Sequence, residues 1–128
     1  MTVRLRILIL GPAREGDLAW HVAMALRGLQ YEVILEDLVH FDREDPLWKR
    51  VPWKTPGLHR WAIRWMNRRV RTLWRASRPN LVRICKGRFL LPETVEEIRR
   101  AGIPVINWFP DGIREMESEF VMECLPHY

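Results

Sequence analysis

The sequence predicts an α/β fold, because short apolar runs alternate along the chain with segments that have helical periodicity. We expect strands at residues 3–10, 31–35, 81–85 and 104–109, and helices at residues 17–29, 58–76, 92–101 and 114–125. Strictly alternating elements imply parallel strands with helices on both faces of the sheet. The expected architecture is therefore a Rossmann-like or flavodoxin-like three-layer sandwich around a four-stranded parallel sheet in the order 2-1-3-4.

The first two strands are joined through a glycine-rich loop that starts at Gly11 and contains Pro12 and Arg14. Asp17 is suited to cap the helix that follows. The apolar residues of this helix recur at helical spacing, at Leu18, Val22, Leu26 and Leu29. The amides of the loop could cradle a phosphate at the start of the helix. The glycine spacing is neither that of a dinucleotide fingerprint nor that of a P-loop, so a plain strand-to-helix turn is the favoured explanation.

The second strand-helix-strand unit runs through Lys86-Gly87-Arg88 and a short helix to a fourth strand and Asp111. Pro92 suits the first position of that helix. Parallel strands place Lys86 and Asp111 at the same carboxyl edge of the sheet, where open α/β sheets bind ligands. The basic turn could bind a phosphate or a carboxylate, and Asp111 could bind a sugar hydroxyl or act as a base. A solvated turn and a simple turn aspartate are the alternative interpretations.

The fourth strand, residues 104–109, is apolar enough to be buried on both faces. It would nevertheless lie at the edge of the sheet, and proteins usually cover such an edge. An exposed fourth strand therefore makes a homo-oligomer one expected partnership.

Residues 58–76 combine tryptophan and arginine on one predicted helix, after a long loop over residues 36–58. Its apolar stripe is formed by Leu58, Trp61, Ala62, Trp65, Met66, Val70 and Leu73. Its basic stripe follows at spacings of three and four, at Arg60, Arg64, Arg68, Arg71 and Arg75. A core-facing stripe with a solvated basic face is the favoured interpretation. Binding to a membrane surface or to a polyanion would follow from the same amphipathic pattern.

Composition narrows the class of protein and its partners. The net charge is +5 and the pI is near 9.9, and the positive excess lies in this arginine-rich helix, which would attract phosphates.

Cys85 and Cys124 have neither disulfide nor metal-site spacing, so we expect two buried thiols. His21 has no nucleophile to activate, and no metal-ligand cluster is visible in the sequence. Without a signal-peptide pattern or a long apolar run, we expect a cytoplasmic protein, with peripheral membrane contact as one option.

Several short motifs together resemble a known enzyme family. They are GPA after the first strand, the stretch KGRFLLPETVEEIRRAGIPVINWFPD and the final FVMECLPHY. In these motifs the chain is similar to the amino-terminal half of CgeB-like (spore maturation type) glycosyltransferases. The matching positions are Lys86, Gly87, Pro92, Glu93, Thr94, Gly102, Trp108, Pro110 and Asp111. Gly112 departs from the family pattern, because a second aspartate is common there.

The resemblance implies a GT-B enzyme with two Rossmann-like domains, in which residues 1–128 form the acceptor-side domain. A C-terminal donor-binding domain, or a partner chain, would hold the nucleotide-sugar donor, and this half would hold the sugar acceptor. No metal and no cofactor would be required. The cleft between the domains would be lined by Gly11, Pro12, Arg14, Lys86, Gly87, Arg88 and Asp111. The chain alone would then not transfer sugar.

Two other functions remain open from the residues alone. A non-enzymatic flavodoxin-like binding module would use the basic Trp/Arg helix on nucleic acid or an anionic membrane, with an affinity that falls steeply with salt. A small flavin or nucleotide protein would yield a coloured or nucleotide-loaded preparation.

Overall fold

The computed structural model describes residues 4–38, 55–87, 89–109 and 121–128. Its strands are β1 (Arg6–Gly11), β2 (Glu32–Asp37), β3 (Leu81–Cys85) and β4 (Val105–Trp108). All neighbouring strands pair in parallel, in the order β2-β1-β3-β4. The predicted α/β fold and the 2-1-3-4 strand order are therefore confirmed.

The helices lie on both faces of this sheet. They are α1 (Leu18–Gly28), α2 (Pro56–Ser77), α3 (Pro92–Arg100) and α4 (Val121–Cys124), and a 3-10 turn covers Leu125–His127. Helix α1 packs Ala19 and Ala23 against the face of β1 that carries Ile7 and Ile9. Helices α2 and α3 pack against the opposite face, in a core formed by Leu8, Leu10, Val70, Val82, Ile84 and Ile98. The outcome is the expected three-layer sandwich.

Helix α2 begins earlier than predicted, and its buried face is rotated from the predicted one, with which it shares Ala62, Met66 and Val70. Pro56 is its first residue, where the missing N–H of proline costs no intrahelical hydrogen bond. Its buried residues are Ala62, Ile63, Met66, Asn67, Val70 and Trp74. The prediction that Trp61 and Trp65 face the core is wrong, because their side chains are 53% and 38% exposed. The predicted stripe and the buried set both recur at helical spacing, so periodicity does not distinguish them. The large apolar side chains of Trp61 and Trp65 favour the predicted stripe.

Strand β4 is exposed on one face, contrary to the prediction that both faces are buried. Val105 points into the core, whereas Ile106 and Trp108 are each 46% exposed. The reason is that β4 is the edge strand. On the face that carries Ile106 and Trp108, α1 packs mainly on β1 and β2, at the opposite side of the sheet. The guanidinium of Arg83 lies 5.5 Å from the centre of the Trp108 ring and partly covers it.

Helix α1 also differs in detail from its prediction. Leu29 is not part of the apolar stripe, because it caps the end of the helix and is largely exposed. Asp17 does occupy the N-cap position, but its side chain makes no capping hydrogen bond to α1. Its carboxylate instead accepts a hydrogen bond of 2.9 Å from the backbone N–H of Arg14 in the preceding loop. Asp17 therefore orders the loop.

The predicted loop at 36–58 and the predicted helix at 114–125 lie partly outside the described residues. Within the described part, Val121–Cys124 is helical and continues into the 3-10 turn. No helix among the described residues is both long enough and apolar enough to cross a membrane.

Candidate functional site

The carboxyl ends of β1 and β3 meet at the centre of the sheet, where the strand order reverses direction. Ile9 pairs with Arg83 and Leu10 pairs with Ile84, so the two strands stay in register up to this edge. A β-carbon added at Gly11 would lie 2.6 Å from the carbonyl oxygen of Cys85. The backbones of β1 and β3 therefore come so close together that no side chain would fit at Gly11. This point of an open α/β sheet is where ligand clefts form.

A strained turn follows β3 at the same point. Lys86 and Gly87 have φ angles of 68° and 74°, in the left-handed region that a lysine rarely adopts. The N–H of Gly87 donates to the carbonyl of Cys85 at 2.9 Å, and the N–H of Lys86 donates to the carbonyl of Trp108 at 3.1 Å. These bonds hold both residues in place. Strained residues of this kind cluster at functional sites.

A small cavity of about 90 Å³ opens between the two strand ends. It is lined by Gly11, Pro12, Leu38, Cys85, Lys86, Gly87 and Phe89. Four of the predicted site residues, Gly11, Pro12, Lys86 and Gly87, are thus brought together. Complete sites for small molecules have volumes of about 300–1,000 Å³, so this cavity can hold only part of a ligand.

The other predicted residues of this edge are not brought into the cavity. Arg14 is exposed in the loop after β1 and does not line the cavity. Arg88 and Asp111 lie outside the described residues. The N–H of Asp17 donates to the carbonyl of Arg14 at 2.8 Å, and the N–H of Ala19 donates to that of Pro12 at 3.2 Å. These amides are committed within the protein, so the loop offers fewer amides for a phosphate than expected.

Sequence reasoning missed two polar side chains beside the strained turn. The side chain of Asn107 donates to the carbonyl of Lys86 at 3.4 Å. A β-carbon on Gly87 would lie 3.4 Å from the hydroxyl of Tyr128 and 3.6 Å from the Asn107 nitrogen. The Tyr128 hydroxyl and the Asn107 carbonyl oxygen are both buried, and the side chains of Asn107 and Cys124 lie next to that hydroxyl. The packing of residues 121–128 places Tyr128 here, and no local motif signals it.

Both cysteines are buried and unpaired, as predicted. Burial raises the pKa of the Cys124 thiol from 9.0 to about 11, and its Sγ lies 3.3 Å from the carbonyl oxygen of Leu90. Burial also raises the pKa values of Cys85 and Tyr128. The described residues contain no group of His, Cys, Asp and Glu side chains that could hold a metal ion.

These pKa values predict that the protein loses stability in alkaline solution. A thiol with a raised pKa stays neutral in the folded chain while the unfolded chain ionises, so the free energy of unfolding falls as the pH rises from about 9 to about 11. Urea unfolding across this range measures the loss. Cys124→Ser keeps a hydroxyl that can donate to Leu90 and does not ionise, so its loss should be smaller. An equal loss in this variant would show that Cys124 is not responsible.

A second feature, here called the basic cleft, lies between α2 and the start of α3. It has a volume of about 580 Å³ and is lined by Arg60, Ile63, Arg64, Asn67, Arg68, Arg71, Leu91 and Glu93. Four of the five predicted basic-stripe residues are among these. Arg75 does not line the cleft and pairs with Glu97 on α3. The Nε of Arg71 lies 3.6 Å from a carboxylate oxygen of the same glutamate.

Asn67 forms the floor of the basic cleft and holds its two walls together. It is 1% exposed, and its amide nitrogen donates to the carbonyls of Ile63 and Phe89, each at 2.8 Å. Its amide oxygen accepts from the N–H of Leu91 at 3.0 Å and from the hydroxyl of Thr94 at 2.7 Å. One side chain thereby fixes the 89–91 segment and the first turn of α3 to α2.

The 89–91 segment connects the two features, since Phe89 lines the cavity and Leu91 lines the basic cleft.

Comparisons with protein-family models, with curated proteins and with solved structures give no match for this chain.

Proposed function

We propose that this chain is the acceptor-side, Rossmann-like domain of a glycosyltransferase that uses a nucleotide-sugar donor. The observation that carries the proposal is the strained Lys86-Gly87 turn, held against Gly11 where the strand order reverses. The protein maintains an unfavourable conformation at the point of the fold that is best placed to bind a ligand. The motifs that resemble CgeB-like glycosyltransferases include this turn.

The size of the cavity supports a divided site. A volume of about 90 Å³ is too small for a complete sugar or nucleotide site, which normally needs several hundred cubic ångströms. A GT-B enzyme forms its site between two domains, so each half presents an open edge. We infer that a second domain or a partner chain supplies the remaining wall and the donor.

The polar groups at this edge are suited to hold a sugar acceptor. The Tyr128 hydroxyl and the Asn107 amide nitrogen are placed beside Gly87, and Asn107 donates to the carbonyl of Lys86, so these two side chains would hold the turn that faces the acceptor. Lys86 lines the cavity at the same edge, where its positive charge would favour the developing negative charge of a departing diphosphate. The Lys86-Gly87 turn would orient the acceptor, and the donor would approach from the open side.

The proposal predicts the mass of the native gene product. We expect either a chain roughly two to three times heavier than 15.4 kDa, since a second domain adds about 100–200 residues, or a tightly associated partner chain. An antibody to this chain would isolate the product from its source cell, for intact mass measurement under denaturing and native conditions. A product of 15.4 kDa with no associated chain in either measurement would contradict the proposal.

A further inference from the structure

We propose that α2 docks the protein on the surface of an anionic phospholipid membrane. In this arrangement the basic cleft takes lipid headgroup phosphates, and Trp61 and Trp65 lie at the level of the headgroups. This inference is independent of sugar transfer, because it uses the outer surface of α2 rather than the carboxyl edge of the sheet.

Among the residues that the structure describes, acidic side chains balance only part of the positive charge of the basic cleft. Glu97 lies next to Arg71 and pairs with Arg75, towards the end of α2. Towards the start of α2, neither Arg64 nor Arg68 has an ion-pair partner among the described residues. Of the described residues that line the cleft, one is acidic, Glu93, and four are arginines. A concave site with this charge is complementary to a phosphate group.

The exposed tryptophans lie beside these arginines on the same helix. Trp61 and Trp65 are one turn apart and stack with their ring centres 6.5 Å apart. Arg64 and Arg68 each follow one of these tryptophans by three residues, so all four side chains share one exposed surface. The guanidinium of Arg69, four residues after Trp65, lies 5.5 Å from the centre of the Trp65 ring. Two stacked, partly exposed tryptophans flanked by arginines are typical of a helix that lies in a membrane interface.

The geometry favours a membrane over nucleic acid. Single-stranded nucleic acid needs separate aromatic rings on which successive bases can stack along a charged groove. Here the two rings stack on each other and do not line the basic cleft. A flat bilayer can contact the rings and the arginines together. Ile63 and Val70 anchor the opposite face of α2 in the core, so the helix would lie along the membrane surface.

Co-sedimentation with phospholipid vesicles tests the proposal. We expect the chain to bind vesicles of phosphatidylglycerol mixed with phosphatidylcholine, to ignore vesicles of phosphatidylcholine alone, and to dissociate at high salt. The double variant Arg64→Gln/Arg68→Gln should bind roughly thirty-fold more weakly. The matched control Arg99→Gln/Arg100→Gln removes the same charge from the end of α3, outside the basic cleft, and should bind nearly as well as the unmodified chain. Equal losses in both variants would overturn the proposal.

The tryptophans and the identity of the anion are tested in the same assay. Trp61→Ser/Trp65→Ser should weaken vesicle binding, whereas Trp108→Ser, which changes an exposed tryptophan on the other face of the sheet, should not. Inorganic phosphate should displace the chain from anionic vesicles only slightly more than chloride does at the same ionic strength, because phosphate cannot contact the tryptophans. Tighter binding to a single-stranded oligonucleotide than to anionic vesicles at equal salt would overturn the proposal in favour of a nucleic-acid surface.

Discussion

Replacing Asn67 by alanine should destabilise the protein by about 3–5 kcal/mol, because it removes a buried amide that makes four hydrogen bonds. The carbonyl of Phe89 and the N–H of Leu91 would lose this partner in a place that water reaches poorly. Each such buried group costs about 1–3 kcal/mol when it is left unsatisfied. The 89–91 segment and the start of α3 would lose their attachment to α2.

Urea unfolding of the purified variants measures this effect. Thr94→Val removes only the hydroxyl that donates to Asn67, so it should cost about 1 kcal/mol. Arg68→Ala, one residue further along α2 and exposed, should change stability by less than about 0.5 kcal/mol. If Asn67→Ala were no more harmful than Arg68→Ala, Asn67 would not hold the two walls of the basic cleft together.

Replacing Gly11 by alanine is expected to have the second-largest effect. The added methyl group would lie 2.6 Å from the carbonyl oxygen of Cys85 and 2.8 Å from its β-carbon. Both atoms belong to a central strand, so β1 and β3 would have to separate at the point where the cavity forms. Overpacking of this kind costs about 1–3 kcal/mol, and the backbone contact places Gly11→Ala at the upper end.

Gly28 provides a matched control for Gly11. It is the last residue of α1, and a β-carbon added there would meet no other atom within 4 Å. Gly28→Ala should therefore be neutral or stabilise the protein by up to about 1 kcal/mol, because alanine favours the helix. Thermal unfolding of the two variants side by side gives the comparison. Equal stability of the two would mean that β1 and β3 do not approach as closely as described.

The sequence was sufficient to predict the sheet because its signals are local. The strand runs of β1 and β3 are largely apolar, and the helix signals of Pro92 and Gly102 lie within a few residues of the elements that they delimit. Parallel pairing and the right-handed crossovers then leave few possible strand orders. Because this order makes β1 and β3 neighbours, it also predicts that Gly11 lies next to the Lys86-Gly87 turn.

The features that could not be predicted depend on distant residues. Asn67 reads as one polar residue in a basic helix, and its role becomes visible only when the 89–91 segment packs against α2. The placement of Tyr128 beside Gly87 joins residues that are far apart in the chain. The exposure of Trp61 and Trp65 depends on which of two overlapping stripes meets the sheet, and hydrophobicity alone favoured the wrong one.

The most direct test of the proposed function is nucleotide-sugar turnover by the native gene product, isolated from its source cell and supplied with a panel of nucleotide sugars and a cell extract as acceptor. We expect release of nucleoside diphosphate by the native product and none by the 128-residue chain alone. Lys86→Gln in the native product should lower this turnover, and Lys86→Arg, which keeps the charge, should retain most of it. Turnover by the 128-residue chain alone, or no turnover of any nucleotide sugar by the native product, would contradict the account.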